Sequence, residues 1–241
     1  MTAPRLLLIR HGESTANVAA TAAEAAGLEA IEVTARDADV PLSPLGEQQA
    51  AALGPRLAAE LGGSPERARV FSSPYRRAVH TARLALGDSA PITIDERLRD
   101  RELGILDALT ALGVDARLPA EAARRRWLGK FYYRPPGGEA WTDVALRIRS
   151  FARDLDWTDD RPIVVFAHDA VVSLFLFVFL GLTEEQLNEF LVTRVVGNAS
   201  ITSLVRDDDG AWTVETFSDD THLSAAGVAA TEHPGVARVA E

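Results

Sequence analysis

Apolar residues in this chain fall into two kinds of run. Leu6–Ile9, "ARVFSS" (68–73), "PITID" (91–95) and "PIVVFA" (162–167) are short and mostly continuous, and they read as strands, the first and last fully buried. Longer stretches carry apolar positions at helical spacing. Ala16–Ala26 is alanine-rich. Residues 44–61 follow a cap signal at Ser43, with Pro44 at the first helical position, Glu47 near the first turn, and a stop at Gly62-Gly63. "PYRRAVHTARLAL" (74–86) again has proline near its start. "EAWTDVALRIRSFARDL" (139–155) brings Trp141, Val144, Ala145 and Ile148 onto one face. An apolar helix from Ala170 and an amphipathic one over 183–192 follow. "SITSLVRDDDGAWTVETF" (200–217) reads as two strands around an Asp/Gly turn. Residues 100–138 read as irregular, with a basic cluster and the "RPPGG" break. Strands alternating with helices predict an α/β fold, a three-layer α/β/α sandwich on a mostly parallel central sheet. The expected organisation is one domain over 1–224, carrying a basic-aromatic, lid-like insertion at about 105–138. A loose Ala/Gly/Val-rich tail is expected over 225–241.

Residues 163–182 are almost wholly apolar and long enough to cross a bilayer. His168 and Asp169 interrupt them, and an ionisable pair there is costly in lipid. A buried strand feeding a buried helix is the expected reading. The first residues lack the apolar core of a secretory signal, so none is expected.

The chain has 241 residues, 47% hydrophobic and 25% charged, with a net charge of −10. That composition suits one domain with a large core. Its acidity argues against non-specific nucleic-acid binding. Cysteine is absent, which excludes disulfides, thiol catalysis and Cys-ligated zinc. A cytoplasmic location is expected, with no membrane or nucleic-acid partner. Oligomeric state is left open, a homodimer included.

Ligands of open α/β sheets sit beyond the carboxyl ends of parallel strands. Three predicted strands end in polar chemistry here. The first ends in Arg10-His11-Gly12. The second ends in Ser72-Ser73-Pro74, with Arg77 in the next helical turn. The fourth ends in His168-Asp169. If these strands are parallel neighbours, two histidines and two arginines share one crevice. Paired guanidiniums favour a dianion held in bidentate fashion, and phosphate is the natural candidate. A histidine against that phosphorus can attack it.

These residues fall within a longer pattern. "LLLIRHGESTAN", "PLSPLGEQQAAALG", "VFSSPYRRAVHTA", "RLRDRELG", "PPGGEAWTDVALRI", "VVFAHDAVV" and "NASITSL" occur in the order found in the histidine phosphatase superfamily, and residues 5–205 resemble it. That family includes the cofactor-dependent phosphoglycerate mutases and the fructose-2,6-bisphosphatases. The resemblance implies a phosphoglycerate mutase-like fold and a phosphohistidine on His11. It implies that Arg10 and Arg77 clamp the phosphoryl oxygens and that Asn17 adds a donor. His168 would stabilise charge from the opposite side. Asp100 would protonate the leaving oxygen and then activate water. No metal or cofactor is implied.

This chain departs from the family pattern at two of these places. The acid is usually Glu, whereas Asp100 is one methylene shorter, and Glu102 competes for the role. The second motif usually reads His-Gly, and here Asp169 follows His168. That carboxylate is expected to repel some anions and to raise the pKa of His168. Arg126 and Lys130 have the spacing of sugar-phosphate contacts in the bisphosphatase branch, and Trp141 falls where that branch has a Tyr. Lys130 is the only lysine. After His168, however, Asp169 and Ser173 replace a Gln and an Arg of that branch. The expected enzyme is therefore a related phosphomonoester hydrolase acting on a small phosphorylated metabolite. The alternatives are mutase-type phosphoryl transfer, a metal-dependent site built on His168-Asp169, and a non-catalytic phospholigand-binding protein. Arg76, Ser72, Ser73, His80, His222 and His233 are read as surface, turn, structural or tail residues.

Overall fold

The computed structural model describes residues 4–207 and 209–233. Six strands form one sheet: β1 (Arg5–Arg10), β2 (Arg69–Ser72), β3 (Ile92–Ile94), β4 (Ile163–Ala167), β5 (Ile201–Arg206) and β6 (Trp212–Asp219). Their order is β3-β2-β4-β1-β5-β6. The first four are mutually parallel, β5 runs antiparallel to β1, and β6 antiparallel to β5. This is the expected α/β architecture.

The continuous apolar runs are explained by burial on both faces. Along β1, Leu6 and Leu8 face one core and Leu7 and Ile9 the other. Along β4, Ile163, Val165 and Ala167 alternate with Val164 and Phe166 in the same way. One face is covered by α6 (Trp141–Asp154), α7 (Asp169–Phe179) and α8 (Glu184–Val192). The other is covered by α2 (Pro44–Glu60), α3 (Arg76–Leu86) and α9 (Thr221–Ala225). α1 (Thr15–Ala25) follows β1 directly, with Ser14 as its cap. The apolar stretch 163–182 splits into β4 and α7, and no helix among the described residues is long and apolar enough to cross a membrane.

The segment expected to be irregular is largely helical. It contains α4 (Ala111–Arg117) and α5 (Pro119–Tyr132), broken at Gly129, over a small core of Leu106, Val114, Ala122 and Tyr133. Interspersed arginines hid the sparse apolar positions that make this core. α9 was also missed, being too short to show a period. The region expected to be a loose tail is tied down as far as His233, by hydrogen bonds described below. Residues 234–241 of that tail lie outside the described residues.

Close backbone approaches fix the loop after β1. A Cβ on Gly12 would lie 2.4 Å from the Gly46 carbonyl oxygen, and one on Gly46 would lie 1.9 Å from that of Glu13. The start of α2 therefore rests directly on the loop that carries His11. Gly46→Ala should force these backbones apart, costing about 1–3 kcal/mol of stability. Urea unfolding checks this, and an unchanged midpoint would contradict it.

Candidate active site

The register of the sheet assembles the site. Arg10 at the end of β1 pairs with Ala167 at the end of β4, and Ser72 at the end of β2 pairs with Phe166. His11 and His168, each one residue beyond its strand, thus become neighbours. Their ring centroids are 5.1 Å apart at 64°. Both rings are buried, as are Arg10 and Arg77.

Hydrogen bonding sets the tautomer of His11. Its Nδ1 lies 2.6 Å from the Gly12 carbonyl oxygen, which can only accept, so Nδ1 carries the proton. Nε2 is left with its lone pair, which accepts from Arg77 Nε–H at 3.2 Å. Burial first, then the charges of Arg77, His168 and Arg10, hold His11 well below the usual histidine range. His168 is lowered in the same way, by burial and then by Arg77, Arg147 and Arg10. The expectation that Asp169 raises it is overturned. Desolvation and three arginines decide the direction, and Asp169 instead acts on Arg10. His168 Nε2 is 2.8 Å from Ser73 Oγ. Its Nδ1 is 3.3 Å from Asp100 Oδ2 but has no aligned hydrogen-bond partner.

Asp100 sits between the two cationic sides. Its Oδ2 accepts from Arg77 Nη2 at 3.0 Å, and its Oδ1 accepts from the Arg101 amide at 2.8 Å. Arg147 on α6 donates to the Asp100 carbonyl at 3.1 Å and pairs with Glu139. The "PPGG" loop supports the same segment, because a Cβ on Gly104 (φ +57°) would meet the Pro136 carbonyl at 2.2 Å. Glu102, the competing acid, accepts from the Tyr75 hydroxyl at 2.7 Å and does not line the cleft, whereas Asp100 does.

The cleft holds about 340 Å³ and is lined by Arg10, His11, Asn17, Arg77, Lys130, Trp141 and Asp169, among others. Asn17 Oδ1 accepts from the Ser14 amide and hydroxyl, each at 3.0 Å, which leaves its NH₂ as the donor available to a ligand. Lys130 Nζ lies 4.2 Å from the centroid of the Trp141 ring. Arg126 does not fit its expected place: it is exposed, pairs with Asp115 at 2.8 Å and is absent from the cleft wall. The helical phase of α5 turns the neighbouring Arg125 inward instead. Among the described residues, no group of three or more His, Asp or Glu side chains stands close enough to hold a metal ion.

Sequence reasoning missed several wall residues. Asp37 grips Arg77 through its carbonyl at 2.6 Å and its carboxylate at 2.9 Å, and nothing in "ARDADV" signals this. Arg101 and Arg125 are largely buried cations without an ion-pair partner among the described residues. Burial and the Arg125 charge lower Arg101 to about 10, and burial lowers Arg125. His233, set aside as tail, lines the cleft beside Arg10.

The two lowered histidines of the site tie stability to pH. Above the unfolded value of about 6.5, neither state binds these protons and stability is flat. Below it, the unfolded histidines take protons that the folded ones refuse. Stability should then fall by up to about 1.4 kcal/mol per pH unit for each histidine, until the folded pKa is reached. Urea unfolding at pH 7.5 and 5.5 should show a larger loss in wild type than in the His11→Asn/His168→Asn variant. Equal losses would contradict the lowered values.

The model of the histidine phosphatase superfamily (branch 1) matches residues 6–220. The glucosyl-3-phosphoglycerate phosphatase of Mycolicibacterium vanbaalenii is 34% identical over 210 residues, covering 83% of each chain. That of Mycobacterium tuberculosis is 32% identical over 223 residues, covering 88% of each. A solved structure of mycobacterial glucosyl-3-phosphoglycerate phosphatase in complex with VO3 matches with a TM-score of 0.65 at 31% identity, covering 90% of this chain and 99% of that one.

Proposed function

The chain belongs to the histidine phosphatase superfamily (branch 1), and on that premise we propose that its His11 is the nucleophile of a phosphomonoester hydrolase acting on a small phosphorylated metabolite. The observation that carries this reading is the state of His11: neutral, protonated on Nδ1, with its Nε2 lone pair held beside two buried arginines.

The dianionic phosphoryl group enters between Arg10 and Arg77 and displaces the Arg77 Nε–H bond from His11 Nε2. Both guanidiniums then bind phosphoryl oxygens, joined by the Asn17 amide and by the unpartnered Nδ1 of His168. His11 Nε2 forms a bond to phosphorus as the bond to the ester oxygen breaks. Once the phosphoryl group has taken over Arg77, Asp100 in its protonated form gives that oxygen a proton, so an alcohol leaves rather than an alkoxide. Water then attacks the phosphohistidine, Asp100 takes its proton, and phosphate departs with His11 restored.

Arg101 and Arg125 extend the reading to substrate class. Two partly buried like charges that line the cleft, neither in an ion pair among the described residues, suit a second acidic group on the substrate. A phosphorylated sugar acid has that chemistry, in line with the substrate named for the mycobacterial relatives. A cytoplasmic setting belongs to the same proposal, since a cysteine-free chain needs no oxidising compartment.

Phosphate release in excess chelator tests both parts. An aryl phosphate should be hydrolysed by wild type, and His11→Ala should lose about 10³-fold or more. Arg125→Ala should raise KM for a phosphorylated sugar acid about tenfold while leaving the aryl phosphate unaffected. Activity surviving in His11→Ala would overturn the site assignment. Isomer formation without phosphate release would indicate a mutase, and tight binding without turnover would indicate a binding protein.

A further inference from the structure

The segment after α9 has little composition of its own to order it, yet side chains from several elements hold it across the site. Gln49 of α2 donates from Nε2 to the Ala229 carbonyl at 3.0 Å and to Thr231 Oγ1 at 2.9 Å. The Asn198 amide donates to the Thr231 carbonyl at 3.0 Å, and Thr231 Oγ1–H donates back to Asn198 Oδ1 at 3.1 Å. Asn198 Nδ2 also donates to the carbonyl of His11 itself at 3.2 Å. Within this strap the His233 imidazole bridges the loop and the helix after β1. Nε2 is 3.0 Å from Glu13 Oε2, and Nδ1 is 2.5 Å from Thr21 Oγ1. Glu13 is buried, and its other oxygen accepts from Ser43 Oγ at 2.6 Å.

The consequence falls on Arg10. Its Nη1 donates to the Val196 carbonyl at 2.5 Å and its Nη2 to the His233 carbonyl at 2.9 Å. A guanidinium is planar, so fixing two of its corners fixes the direction of the rest. Nε–H is buried and has no partner, which leaves it as a donor for a phosphoryl oxygen. One of the two carbonyls that set this plane comes from the strap. Both nitrogens of His233 are already engaged, so its ring is a latch rather than a ligand.

We infer that residues 228–233 form a strap built into the phosphate site, with His233 the positioning residue that holds Arg10 in its phosphate-binding pose. This rests on the reading of Arg10 as a phosphoryl ligand.

The test uses the full-length chain, an aryl phosphate as substrate and inorganic phosphate as competitive inhibitor. His233→Ala should raise the phosphate Ki and the substrate KM about tenfold, as expected for losing the alignment of one charged hydrogen-bonding group. His233→Gln, whose amide can donate to Glu13 and accept from Thr21, should restore most of the loss. In an Arg10→Met background, His233→Ala should add nothing further. Thr21→Val, which breaks one bond of the latch at an exposed helix position, should give a smaller rise of the same kind and serves if His233→Ala does not fold. Wild-type Ki in both His233→Ala and Thr21→Val would overturn the proposal. So would a His233→Ala effect that persists undiminished beside Arg10→Met, because the strap would then act by some other route. An unchanged Ki in Arg10→Met alone would instead remove Arg10 from the phosphate site, a failure of the functional reading that this arm separates from the strap.

Discussion

Two arginines buried beside two histidines are the constraint on which the site depends. Arg10 and Arg77 cannot be neutralised by losing protons, so their charge must be met by geometry. Asp37 and Asp100 meet that of Arg77 on one side. Two backbone carbonyls meet part of that of Arg10 on the other. The same charges, added to burial, keep His11 and His168 unprotonated. One arrangement therefore prepares both the cation pair that attracts a phosphoryl dianion and the neutral imidazole that can attack it.

The sheet supplies the precision. Because β2, β4 and β1 are parallel neighbours in register, their ends deliver Ser73, His168 and His11 to one edge without long loops. Each neighbouring loop is then pressed into place by backbone contact that admits no side chain, as at Gly12, Gly46 and Gly104. Regular elements carry both arginines, Arg10 on β1 and Arg77 on α3, and His11 lies one residue beyond β1. The acid segment and the wall formed by α5 are held by side-chain networks through Glu139, Arg147 and Tyr133.

The legible parts of the sequence were those where burial or chemistry is dense. Continuous runs such as Leu6–Ile9 and Ile163–Ala167 announce strands buried on both faces, and the polar residues at their ends announce the site. Arg10, His11, Arg77 and Asp100 line one cleft, and His168 is buried directly behind it against His11 and Asp100. Arg126 was misplaced because spacing does not reveal helical phase in a segment whose helicity was itself hidden. Asp37 and His233 were invisible for another reason. Each acts through a tertiary hydrogen bond to a residue far along the chain, and no local pattern encodes such a partner. The direction of the His168 shift was misjudged because sequence adjacency suggested Asp169, while desolvation and arginines from three elements outweigh it.

The central claim is that phosphoryl transfer passes through His11. Rapid quenching of turnover, followed by mass spectrometry of the digested protein, tests it most directly. The account predicts one phosphoryl group, labile to acid and stable to base, on the peptide containing His11, forming and decaying at rates that match turnover. A phosphoryl group on any other residue, or steady turnover with no phosphoenzyme on His11 at any time point, would contradict it.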